Sequence, residues 1–504
     1  MRRLTLALVA CAVLAGCAIR PTTPELDQVV PGSGYRWDPA AVVPGNDPQT
    51  LFVLTFSGGG TRAAAFAFGV LEELRRTPIA ASNGTHTALD EVDLVTGTSG
   101  GSFTALAYAL YGATLFDMYE GAFLRRNVQG ALLERLFNPL TWPKVLTQGF
   151  GRSELAEQYY DEILFHGATY ADLLRRTPVV IVGATDVTTG NRIDFSQGQF
   201  DFICGDLTRF PLSRAAAASS AVPVVFSPVT LDNRGGRCGY RPTPWMTAAL
   251  KAPENLELGN RADIRLRNAH MLQDSRERPY IHLVDGGLAD NLALLSFVEV
   301  LQLAMESPDA RVAFDVGRLR RIAVVIVNAA STPDFDYDKI STGPNALAML
   351  AQSVSVPMAR YSTASIAALQ DVITVWQLRQ KLDADARRLG PGSAQVTELP
   401  AIDFTVVDVS FDAVADPGLR KYLQNLPTTF ARSEEAVSRL RASAARLTGF
   451  PAVRRRTRTA ALNLAVRRPG RAAALRPAMR ACSRAADGKG VLPRDRLRPA
   501  CRLS

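Results

Sequence analysis

Leu51-Phe52-Val53-Leu54-Thr55-Phe56 runs directly into Ser57-Gly58-Gly59-Gly60-Thr61-Arg62, and Val92-Asp93-Leu94-Val95-Thr96 runs into Gly97-Thr98-Ser99-Gly100-Gly101. A short apolar run that ends in glycine reads as a buried strand. Each turn is followed by a helical pattern: Phe66, Val70 and Leu74 with Phe68 and Leu71 after the first, and Phe103, Leu106, Ala107 and Leu110 after the second. Two successive strand, glycine turn, helix units predict parallel strands joined by helical crossovers, because a parallel neighbour can be reached only by crossing the sheet face. Later segments extend the plan. Val179 to Ala184, Tyr280 to Val284, Ile322 to Val327 and Phe404 to Val409 read as strands, with Ile193 to Phe195 forming a hairpin after Thr189-Gly190-Asn191. Residues 116–176 are mainly helical, with breaks at Pro139, Pro143 and Gly149 to Gly151. Helices are also expected at Leu212 to Ala221, at Ala346 to Leu389 with an interruption at Pro357, and at Ser433 to Leu447. No internal repeat is visible. This order predicts an α/β layered fold with a mainly parallel central sheet, in one domain over residues 51–450.

The ends of the chain follow other rules. Arg2 and Arg3 precede an apolar run from Leu4 to Leu14, too short to span a bilayer and suited to a secretory signal. It closes on Leu14-Ala15-Gly16-Cys17, which resembles the bacterial lipobox. That resemblance implies removal of residues 1–16, lipidation of Cys17 and an envelope lipoprotein, with Ala18 favouring the outer membrane, facing the periplasm. Residues 17–50 are rich in Pro and Gly and read as a tether. From Pro451 to Ser504 there are fourteen Arg and one Lys against two Asp, so the formal charge of +9 lies in the tail and the body is slightly acidic. The tail has too few large apolar residues to fold alone and is expected to be disordered. It either contacts anionic lipid headgroups or has no selected role, and the location of the charge argues against nucleic-acid binding. In an oxidising compartment Cys204 and Cys238 could pair, the alternative being two separate thiols. No Cys/His spacing suggests a metal site, and no cofactor motif is present.

Ser99 occupies the strand-to-helix turn, where a small-x-Ser-x-small sequence from Gly97 to Gly101 exposes a hydroxyl beside free helix-start N–H groups. A serine hydroxyl needs a base to accept its proton and donors for the oxyanion it generates. Gly58, Gly59 and Gly60 open the other helix with unshielded N–H groups suited to an oxyanion hole, and Arg62 can support that loop. The three glycines could otherwise turn the chain or cradle a phosphate, but the Gly-Lys-Ser/Thr of a Walker loop is absent. His86, His166, His270 and His282 all precede Asp285, which excludes an α/β-hydrolase triad built on Asp285, where His follows the acid. His282, inside a strand, reads as a core residue. Asp285, at the end of a strand and before Gly286-Gly287, is the remaining base, which gives a Ser-Asp dyad.

Together Ser57 to Arg62, Gly97 to Gly101 and Asp285 to Gly287 resemble, in order and spacing, the patatin-like phospholipases. Ala184-Thr185-Asp186, Thr189-Gly190, the run Ala218 to Pro223 and Asp290-Asn291 look like further family segments. The resemblance covers residues 51–448. Ser57 departs from the aspartate of many members, and Ala63-Ala64 replaces a glycine that often follows the arginine. It implies a three-layer α/β/α fold and a serine acyl hydrolase that cleaves carboxylic esters of phospholipids or related lipids without a cofactor. The competing class is a non-catalytic envelope lipoprotein that binds lipid or protein through a vestigial site. An insertion at residues 233–279 carries Trp245, Met246 and Leu250, either an apolar lid or a peripheral helix packed on the body.

Overall fold

β1 (Thr50–Phe56) lies inside the sheet because it is apolar on both faces: Phe52, Leu54 and Phe56 enter one hydrophobic cluster and Val53 enters another. Successive strand side chains point to opposite faces, so two clusters require helical layers on both sides. The computed structural model describes residues 21–37, 46–79, 86–139, 151–244, 246–247, 261–331, 339, 341, 343–389 and 399–448. The chain divides near residue 460 into two units, and the description concerns the first. The expected signal segment at residues 1–16, Cys17, Trp245, Leu250 and the basic tail from residue 451 lie outside the described residues.

The other strands are β2 (Leu94–Thr98), β3 (Val179–Asp186), β4 (Arg192–Asp194), β5 (Val229–Asp232), β6 (Tyr280–Val284), β7 (Arg321–Asn328) and β8 (Asp403–Ser410). They form one sheet in the order β5-β6-β3-β2-β1-β7-β8, with β4 paired to β3. From β3 to β8 along this order all pairings are parallel, while β4, β5 and β6 pair antiparallel. On one face α1 (Gly60–Arg76), α2 (Gly100–Tyr111) and α6 (Glu434–Thr448) bury Phe66, Phe68, Leu71, Phe103, Leu106, Val437 and Leu440. Also on that face, α3 (Leu212–Ser219) buries its alanines. On the other face α4 (Leu295–Glu306) and α5 (Ala346–Leu389) cover Val53, Val324 and Ile326 with Phe297, Val298, Leu369 and Trp376. Among the described residues no helix is long and apolar enough to cross a membrane.

Three expectations change: the tether, the break at Pro357 and the core placement of His282. Residues 21–37, read as tether, run along the body: Tyr35 is 4% exposed and its hydroxyl accepts the Val180 N–H at 2.7 Å. Thr23 exchanges two hydrogen bonds with Asp232, each 2.8 Å. An extended segment needs no apolar periodicity to be pinned; one buried aromatic and a few backbone bonds suffice. The helix around Pro357 is continuous. Proline removes one N–H donor, and the buried Leu369, Val372, Ile373 and Trp376 hold the later turns to the sheet. β6 is antiparallel to β3 and overlaps it only at Thr185↔Val284 and Asp186↔Leu283. His282 is exposed on β6, with its Nδ1 3.0 Å from Thr230 Oγ1, so it is not a core residue. In the insertion, Met246 is partly buried against the main core.

Candidate active site

The chain turns at Ser99 with φ 50° and ψ −122°, a left-handed conformation that is rare for a residue with a side chain. Close packing holds it there. A Cβ on Gly101 would lie 2.6 Å from the Phe56 carbonyl oxygen, and one on Gly100 would collide with the Gly60 carbonyl. The two glycine turns therefore touch, which brings the starts of α1 and α2 together at the carboxyl ends of β1 and β2. Gly97 continues β2, opposite Phe56 and Val182. Ser99 is 3% exposed, and its Oγ donates to Asp285 Oδ2 at 2.7 Å.

Asp285 reaches this point although β6 runs against the main strand direction. The two-residue overlap with β3 brings Gly286, the residue after Asp285, against the Gly183 carbonyl, beside the end of β2. Its surroundings hold it by every polar group: its N–H donates to Ala221 O at 2.9 Å, its carbonyl accepts Thr185 Oγ1 at 2.8 Å, and Oδ1 accepts the Gly287 N–H at 2.8 Å. Burial pushes its pKa up to about 6, against the opposing pull of the Gly287 N–H and the Ser99 hydroxyl. At pH 7 it is therefore mostly ionised, and it is a stronger base than an ordinary carboxylate, which suits a proton acceptor.

The oxyanion loop is narrower than the sequence implied. Gly58 donates its N–H to Asn291 O at 2.9 Å and Thr61 donates to Thr429 O at 3.0 Å. Gly59 and Gly60, at φ 139° and 58°, keep N–H groups without a hydrogen-bond partner among the described residues. Gly58 is thus a loop anchor, and the available donors are Gly59 and Gly60 with the orphan N–H of Gly100 at the start of α2. Arg62, 2% exposed, donates to Ala329 O at 2.8 Å, to Leu426 O, and to Thr428 Oγ1 at 3.2 Å. It ties the loop to the end of β7 and to residues 426–428. Ser57, the departure from aspartate, accepts the Ala329 N–H on Oγ at 2.8 Å and so preserves an acceptor at that position.

Several groups around the site carried no role in the sequence. Asn291 O holds Gly58, and its Nδ2 donates to Ser362 Oγ on α5 at 3.0 Å. Thr98 Oγ1 donates to Asp290 O at 2.9 Å, while Asp290 itself is fully buried 3.5 Å from Arg192. Arg192 also meets Asp194 at 2.8 Å and Glu299 at 2.7 Å. Burial raises the Asp194 pKa, but Arg192 and Arg265 outweigh it and hold the carboxyl down at about 2. This network fixes the chain just after Asp285 to α4. A wider signal was available, since Asp290 and Glu299 sit in largely apolar stretches, where a charge needs a partner. Farther away, Cys204 and Cys238 form a disulfide, with Cα atoms 5.5 Å apart.

Residues 54–298 match the family model described as patatin-like phospholipase. Among solved structures, human GIVD cytosolic phospholipase A2 is 15% identical with a TM-score of 0.31, covering 56% of this chain and 46% of that one. The same human enzyme in complex with methyl gamma-linolenyl fluorophosphonate and terbium chloride is 12% identical, TM-score 0.34, covering 81% and 59%. VipD from Legionella pneumophila is 11% identical, TM-score 0.26, covering 85% and 70%. The chain thus spans about half the length of the human enzyme, from 46% to 59%. No curated protein matches the chain.

Proposed function

Since the chain belongs, through residues 54–298, to the patatin-like phospholipase family of lipid acyl hydrolases, we propose that it cleaves carboxylic ester bonds of phospholipids or related lipids by a Ser99–Asp285 dyad. The observation that carries this reading is the 2.7 Å hydrogen bond from Ser99 Oγ to a buried carboxylate whose pKa is near 6. Ser99 Oγ attacks the acyl carbonyl carbon while its proton passes to Asp285 Oδ2. The oxyanion that forms is met by the N–H groups of Gly59 and Gly60, reinforced by the positive end of α1. Collapse breaks the ester C–O bond, and the departing alkoxide takes the proton back from Asp285. Water then attacks the acyl-enzyme with Asp285 as base, releasing a fatty acid and restoring Ser99.

The sequence Leu14-Ala15-Gly16-Cys17 supports lipidation at Cys17 and attachment to an outer membrane, facing the periplasm. The Cys204–Cys238 bond is consistent with an oxidising compartment. Two or more acyl chains would give stable attachment, which one chain cannot. The activity is tested by presenting phospholipids, lysophospholipids and acylglycerols to wild type and Ser99→Ala and measuring released fatty acid. Release by wild type alone supports the proposal. Equal release by both, or release by neither, contradicts it.

A further inference from the structure

Ser219, the last residue of α3, is fully buried, and its hydroxyl is used twice. Its Oγ accepts the backbone N–H of Ser99 at 2.9 Å and donates to the carbonyl of Gly183 at 2.7 Å. Gly183 is the last β3 residue paired with β2, opposite Thr98. The ladder between the two strands therefore does not simply stop at the elbow. The hydroxyl is inserted between the strand carbonyl and the next amide, which the left-handed turn at Ser99 has carried out of reach. The same turn also grips the base: Gly286 donates its N–H to Ser219 O at 3.0 Å and Asp285 donates to Ala221 O at 2.9 Å. Ser219 and Ala221 thus hold the Ser99 and Asp285 backbone by three hydrogen bonds, and Ser219 contributes two of them.

We infer that Ser219 is a positioning residue of the hydrolase, one that fixes the backbone of Ser99 relative to Asp285 and commits the nucleophile's own N–H so that it cannot serve as an oxyanion donor. The inference rests on the proposed reaction. A direct consequence is that oxyanion stabilisation falls to donors other than Ser99 N–H. Removing the Ser219 hydroxyl leaves a buried amide and a buried carbonyl unpaired at a strained residue, and the elbow relaxes. A displacement of about 1 Å between reacting groups costs on the order of 10²-fold in turnover.

Ser220 provides the internal control. It is equally buried, and its Oγ donates to Ala216 O at 2.8 Å within α3, with no bond to Ser99 or Asp285. Full-length wild type, Ser219→Ala, Ser219→Cys, Ser220→Ala and Ser99→Ala are compared in hydrolysis of p-nitrophenyl butyrate, in the second-order rate of labelling by an alkyl fluorophosphonate, and in urea unfolding. Ser219→Ala is expected to lose kcat by on the order of 10²-fold with KM little changed and labelling slowed in parallel. Ser219→Cys, which retains a weak donor and acceptor, recovers part of the loss. Ser220→Ala, which gives up one hydrogen bond to the end of α3, is destabilised less than Ser219→Ala and keeps wild-type turnover. Turnover in Ser219→Ala equal to wild type, or a loss no greater than that of Ser220→Ala, overturns the inference. If Ser219→Ala does not fold, wild-type kcat in Ser219→Cys does the same. Hydrolysis by Ser99→Ala would instead sink the underlying reaction and the role of Ser219 with it.

Discussion

Replacing Asp285 by asparagine should make the protein more stable while removing its activity. Burial lifts the Asp285 carboxyl from 3.8 to about 6, worth roughly 3 kcal/mol at 1.36 kcal/mol per pH unit. Because the folded state holds the proton more tightly than the unfolded chain, stability falls as pH rises from about 4 to about 6, and the full cost of roughly 3 kcal/mol is present above that range. An amide has no charge to desolvate. It can also satisfy the site: Oδ1 accepts the Gly287 N–H, and Nδ2 donates to Ser99 Oγ in place of the bond that Ser99 now gives to Asp285. The reversal of that single bond is what abolishes catalysis, since an amide nitrogen cannot take the serine proton. Equilibrium urea unfolding should therefore show Asp285→Asn more stable than wild type by up to ~3 kcal/mol at pH 8, with the gap falling to about half that at pH 5. A variant that is less stable at pH 8, a gap that does not vary with pH, or retained hydrolysis would refute the reasoning.

Three further outcomes follow from the same geometry. The value of kcat/KM should rise with pH through about 6, as Asp285 of the free enzyme loses its proton; a flat profile between pH 5 and 7 would remove Asp285 as the base. Arg62→Met leaves the acceptors at Ala329, Leu426 and Thr428 without their cation, and is expected to cost about 3 kcal/mol and to slow turnover more than it raises KM; unchanged kcat in the folded variant would show that Arg62 does not hold the loop. Replacing Cys204 and Cys238 together by serine opens a loop with a sequence separation of 34 residues and should lower stability by about 4 kcal/mol in denaturant titration, with little change in kcat.

Ser99 and Asp285, the two halves of the proposed dyad, are legible in the chain because each sits where an apolar strand meets glycines, and such junctions are few. The absence of histidine after Asp285 sharpened the choice of base. The burial of β1 on both faces and the crossovers that follow it were equally visible, since a continuous apolar run and its length survive without knowledge of neighbours. What the sequence conceals is everything carried by backbone groups or by a lone side chain. Gly58 looks like Gly59 and Gly60 until the Asn291 carbonyl is seen to take its N–H. Ser219 falls in the run Ala218 to Pro223 that the resemblance singles out, but nothing local there shows what its hydroxyl does, because its partner Ser99 is 120 positions away. Tyr35 was hidden by its proline-rich surroundings, although a single buried ring is enough to fasten them. The direction of β6 depends on which strand it meets, and no local pattern in Tyr280 to Val284 encodes that.

The central claim is that Ser99 is a nucleophile activated by Asp285. Its most direct test is mass spectrometry of the intact protein and its peptides after exposure to an alkyl fluorophosphonate, for wild type and Asp285→Asn. The account predicts one covalent adduct on wild type, located on the peptide containing Ser99, and none on Asp285→Asn under the same conditions. An unmodified wild type, an adduct on another serine, or equal labelling of Asp285→Asn would contradict it.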